Sequence, residues 1–90
     1  MKVYRFESGE TEWTAAESFE QAKKFMEEQH DWVGEDSDIT ELSSDEMHTT
    51  KMMWHDEDAD EMSGEKISMA EALSRLAPTE PMLIAATWLY

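Results

Sequence analysis

Five carboxylates fall within six residues at Asp56, Glu57, Asp58, Asp60 and Glu61, with no Lys or Arg among them and KMMWH immediately before. Three kinds of chemistry use carboxylates at such spacing: proton transfer, calcium ligation and imitation of a phosphate backbone. Like charges this close repel even where salt screens over roughly 8 Å. The run needs a reason, and each chemistry makes a different demand on the rest of the chain.

Proton transfer requires a carboxyl whose pKa is moved by burial or by one close partner. Asp56 to Asp58 stand in a polar, solvated run, and no Ser, Cys or His constellation accompanies them. His30, His48 and His55 are scattered, and in a strand the last two would face opposite sides. With no glycine-rich phosphate loop either, the chain is not expected to be an enzyme, and no catalytic residue is assigned. Calcium fits only at first: Asp56, Asp58 and Asp60 match the opening ligand positions of an EF-hand loop. The sixth position is then Glu61 where Gly is wanted, and the twelfth is Ile67 where a bidentate Glu belongs. No metal or other cofactor is expected.

Imitation of nucleic acid survives this elimination. Along a strand, side chains at i and i+2 project from one face about 6.6 Å apart, on the order of the distance between neighbouring phosphates. Asp36 with Asp38, and Asp56 with Asp58 and Asp60, could present charge in such rows. A basic groove would bind them by releasing the counterions that DNA would release.

The whole composition frames that reading. The chain has 90 residues with 22 acids against seven Lys and Arg, a net charge of -15. Residues 35 to 65 hold twelve of the acids and one base, Lys51. A solvated face or a salt-adapted surface is the ordinary explanation of acidic runs, but salt adaptation should coat the surface evenly. Four Trp, three Phe and eight Met argue for a folded chain in place of a disordered acidic tail. Trp13, Trp88 and Met69 read as core. Absence of Cys removes disulfides and thiolate zinc sites. No apolar run has membrane-spanning length, and MKVYRF lacks the regions of a secretory signal. A soluble protein of a reducing, intracellular compartment is expected.

The elements that must position these acids form one α+β domain over residues 1–90. KVYRFESGETEWTAAE reads as a hairpin turning at Ser8-Gly9, with Tyr4 and Phe6 on one face and Trp13 and Ala15 on another. Ser18 with Gln21 forms a capping-box pattern opening a helix over about 18–29, with Phe19, Ala22, Phe25 and Met26 on its apolar side. DITELS alternates as a short strand, SSDEM suits one helical turn capped by Ser43 or Ser44, and HTTKMMWH is β-prone. Ser68 with Glu71 opens a second helix, with Ile67 as staple and Pro78 as stop. MLIAATWLY reads as a strand covered on both faces and central in its sheet. The expected architecture is a mainly antiparallel sheet of about five strands with two helices on one face.

The runs EDSD, SSDE and DEDADE, the short single domain, and the absence of Cys and catalytic motifs give the chain a general resemblance to a known group. It resembles the small acidic anti-CRISPR and anti-restriction proteins of phages and other mobile elements, several of which are DNA mimics. The strand-turn-strand-helix opening in YRFESGETEWTAAESFEQAKKFM has the look of small phage proteins. The resemblance implies a stoichiometric inhibitor, cytoplasmic in the host cell. It would occupy a Lys/Arg-lined DNA channel such as the PAM-recognition surface of a type I CRISPR surveillance complex. The expected partner is a basic nucleic-acid-binding protein (a CRISPR effector subunit, restriction enzyme or nuclease), with no direct contact to nucleic acid or membrane. Expected contact residues are Asp36, Asp38, Asp45, Glu46, Asp56, Glu57, Asp58, Asp60 and Glu61. Trp54, Met52 or Met53, and Trp32 are the candidate apolar anchors. An immunity protein or antitoxin plugging a nuclease shares the electrostatics, and a halophile-type acidic domain of unrelated role is a further alternative.

Overall fold

The structure, a computed structural model, describes residues 1–54 and 65–86. It opens with the expected hairpin: β1 (Lys2–Ser8) and β2 (Glu10–Ala16) pair antiparallel from Lys2 opposite Ala16 to Ser8 opposite Glu10. Gly9 makes the turn at φ 89°. A Cβ there would meet no atom within 4 Å, so backbone conformation, and not space, is what favours glycine.

Strand alternation divides the hairpin between two cores. Tyr4, Phe6 and Ala16 point to one face, where Ala22 and Met26 of α1 (Phe19–Gln29) cover them together with Trp32 and Ile39. Burying a side chain such as Phe6 or Met26 contributes about 1.5–3 kcal/mol. Met26 also accepts a hydrogen bond at its sulfur from buried Thr14 Oγ1 at 3.0 Å, tying α1 to β2. Val3 and Ala15 point to the opposite face and meet Leu42, Met52, Ile67, Met69 and Ala72.

Local signals set the helix starts. Ser18 Oγ accepts from Gln21 N–H at 3.2 Å, and Gln21 reaches one residue behind the cap to Glu17 N–H at 2.7 Å. After β3 (Ile39–Glu41), α2 (Ser44–Thr49) is closed by a full capping box between Ser43 and Glu46. β4 (Lys51–Trp54) and β5 (Glu65–Ser68) then pair antiparallel. Ser68 Oγ accepts from Glu71 N–H at the start of α3 (Met69–Leu76), while the Glu71 carboxylate meets Arg75 at 2.8 Å. Ala77 terminates α3 at φ 42°, just before Pro78.

The fold is α+β with antiparallel sheets, and its arrangement differs from expectation in three respects. The strands divide into a four-stranded sheet ordered β3-β1-β2-β6 and a separate β4-β5 pair. The helices are not on one face: α1 covers the Phe6 side, while α2 and α3 lie on the Val3 side. Finally β6 (Met82–Ala86) is an edge strand, bonded only to β2 among the described residues. Its apolar character has a different cause from central placement. A register shift between Trp13 and Thr14 lets Ile84 and Ala85 both join the Val3-side core, while Leu83 packs on the α1 side.

Candidate protein-binding surface

Strand pairing brings together acids that are far apart in the chain. β3 runs antiparallel to β1 with Ile39 opposite Phe6, so residues 35–38 arrive beside the hairpin turn and the 3-10 turn Asp36–Asp38 contacts β1. Glu7, Glu10 and Glu12 of the hairpin thereby share one end of the sheet with Glu35, Asp36 and Asp38. The two cations nearby are already engaged. Arg5 meets Glu7 at 3.1 Å and, on the Val3 side, Glu46 at 3.6 Å. Lys23 holds Asp36 at 2.7 Å, and this hydrogen bond, followed by the Asp36 charge, raises the Lys23 pKa above its ordinary value. The Glu10 and Glu12 carboxylates have no hydrogen-bond or ion-pair partner among the described residues.

A protruding apolar side chain lies in the connection between α1 and the 3-10 turn. Val33 is 89% exposed, whereas the other exposed large hydrophobic among the described residues, Met1, is only 37% exposed. Its neighbours explain why it stays out. Trp32 is buried and packs edge-on against Phe6, with ring centroids 5.1 Å apart and planes at 85°. The Trp32 backbone N–H donates to the Met26 carbonyl at 3.1 Å. On either side, Asp31 takes a left-handed φ of 53°, and Gly34 lies so close to the indole that a Cβ there would sit 2.4 Å from Trp32 Cζ2.

The expected contact residues meet different fates. Asp36 and Asp38 lie in a 3-10 turn, not a strand. At three residues per turn they point about 120° apart, so the phosphate-like row proposed for this pair does not form. Asp36 is bound to Lys23, and Asp38 Oδ2 accepts from Glu35 N–H at 3.0 Å. Glu46 accepts from Ser43 N–H at 3.0 Å and returns its own N–H to Ser43 Oγ at 3.1 Å. The Ser43 backbone N–H first, and then the Ser43 side chain, hold the Glu46 carboxyl below the usual pKa, with Arg5 assisting. Asp45 is exposed in the first turn of α2 and has no partner among the described residues. Asp56, Glu57, Asp58, Asp60 and Glu61 lie outside the described residues, as do the side chains of Met53 and Trp54.

Two anchor candidates are corrected. Trp32 is 6% exposed and Met52 9%, each built into a core. The residue that does protrude, Val33, carried one signal: an apolar side chain between Trp and Gly in a polar connection. Glu7, Glu10 and Glu12 carried none, because their proximity to Glu35 depends on the β1–β3 pairing.

Among the described residues no group of three or more His, Asp or Glu could hold a metal ion, and no helix is long and apolar enough to cross a membrane. An open groove between α1 and Pro81, lined by Lys24, Phe25 and Glu28, has a volume of about 180 Å³. That is smaller than the roughly 300–1,000 Å³ of small-molecule sites. Compared with known proteins, the chain matches no family model, and it has no significant match among curated proteins or solved structures.

Proposed function

We propose that this protein is a non-catalytic inhibitor that binds the basic, nucleic-acid-binding surface of another protein and competes there with DNA. In its specific form the reading is an anti-CRISPR protein of a mobile element, acting in the host cytoplasm on the PAM-recognition surface of a type I surveillance complex. The observation that supports it is the acidic end of the main sheet. Carboxylates from the hairpin and from residues 35–38 meet there, while the local cations Arg5 and Lys23 are consumed in ion pairs. Such a surface attracts a Lys/Arg-lined groove and releases counterions on docking, as a phosphate backbone does.

The test is displacement. A fluorescent PAM-containing duplex bound to a purified type I surveillance complex should be released as the protein is titrated in, saturating at a fixed molar ratio. Apparent affinity should fall steeply between about 50 and 200 mM salt. If the duplex remains bound under a large excess of the protein at low salt, this form of the reading is wrong.

A further inference from the structure

We propose that α2 is a lid on the Val3-side core, opening over residues 43–49 while the four-stranded sheet stays paired, with Glu46 as the latch that closes it onto Arg5. This goes beyond the proposed function and does not rest on it. A helix of six residues is far below the roughly 12–15 at which isolated helices become even marginal in water, so packing or side-chain contacts must hold it. Packing contributes little. α1 buries Ala22 and Met26 and α3 buries Met69 and Ala72, whereas α2 buries no residue and sends Met47, partly buried, against the core.

Side-chain contacts must then supply the rest, and one carboxylate makes two of them. Glu46 Oε1 accepts from the Ser43 N–H at 3.0 Å, which closes the first turn, and Oε2 lies 3.6 Å from Arg5 Nη1 on β1. Arg5 is steadied for this contact by Glu7, 3.1 Å from its Nε. On either side of the helix the chain is pinned. Leu42 is buried and donates its N–H to the Val3 carbonyl at 2.9 Å, while the Thr50 carbonyl accepts from the Met69 N–H at 3.0 Å. Between these points the backbone bonds of α2, such as Met47 N–H to the Ser43 carbonyl and Thr50 N–H to the Glu46 carbonyl, lie in a segment whose Ser44, Asp45, His48 and Thr49 are exposed. Few buried contacts and solvent-facing backbone bonds are the conditions for local opening. Lifting α2 would bare the apolar surface under Met47.

Amide hydrogen exchange, followed by NMR at low urea concentrations, tests lid and latch separately. In the native protein the Met47 and Thr50 amides should exchange faster than the hydrogen-bonded amides of β1 and β2, with an opening free energy that low urea leaves unchanged, because little surface is exposed. Equal protection and an equal urea slope in α2 and the hairpin would refute the lid. For the latch, Glu46→Gln keeps an acceptor for the Ser43 N–H but loses the charge facing Arg5, and Arg5→Gln removes the other partner. Each should speed Met47 and Thr50 exchange roughly threefold. The variant carrying both should be no faster than the faster single one, because both changes remove the same contact. Effects that multiply to roughly ninefold when combined would refute the latch.

Discussion

The acids at the helix starts and those of the hairpin look alike in composition and behave differently in the fold. Asp38 and Glu46 turn back onto backbone N–H groups, and Asp36 is taken by Lys23. Glu10 and Glu12, widely spaced in a strand, have no such employment. Clustering along the chain is thus partly capping chemistry, since Ser, Asp and Glu gather wherever a helix leaves donors unsatisfied. A field that a partner could feel depends on which acids remain unpaired after folding, and on which the sheet brings together.

The largest effect that sharpens this contrast comes from Trp32, which supports the loop between the two groups. Trp32→Ala removes the edge contact with Phe6 and opens a cavity, with an expected loss of about 3–5 kcal/mol in urea unfolding. Gly34→Ala comes next. A Cβ 2.4 Å from Trp32 Cζ2 forces the indole to move, and overpacking of this kind typically costs about 1–3 kcal/mol. Native stability in Gly34→Ala would mean that the ring is not fixed as described.

Ser43→Ala tests the capping group. Losing an N-cap costs typically about 1 kcal/mol, and the loss should appear in thermal or urea unfolding. Acid should reach the same device from the other partner. The Glu46 carboxyl lies below its ordinary value near 4.5 in the fold, so its contribution is fully present above that value and lost as pH falls through the lower folded value. An NMR titration should show the Ser43 amide shifting with Glu46 over that acidic window. A Ser43 amide insensitive to Glu46 protonation would refute the cap as the cause.

Local features of this fold were legible in the sequence because their causes are local. The Gly9 turn, the Ser18, Ser43 and Ser68 caps and the stop before Pro78 each follow from a few neighbouring residues. The illegible features depend on distant partners. Apolar runs do not distinguish a central strand from an edge strand covered on both faces, which is the situation of β6. Nor does alternation separate a strand from the 3-10 turn that Asp36 and Asp38 adopt. Of the candidate surface, the acidity of residues 35–38 was visible. The hairpin's contribution required the β1–β3 register, and the burial of Trp32 with Val33 left exposed required knowing that Phe6 lay beneath the loop.

The smallest stability effect is expected where the functional one should be clear. Glu10 and Glu12 have no partner among the described residues, so replacing both with Gln should change unfolding free energy by no more than about 0.5 kcal/mol. Any shift should be toward greater stability, because a chain of charge -15 repels itself and loses two of those charges. Added salt separates this from a structural role. Screening should stabilise the native protein more than the double variant, since it acts on repulsion the variant has already relieved. A loss beyond about 1 kcal/mol, persisting in high salt, would exceed what unpaired charges at the protein surface contribute. It would place the hairpin acids with the capping acids, and the division between structural and available charge would fail.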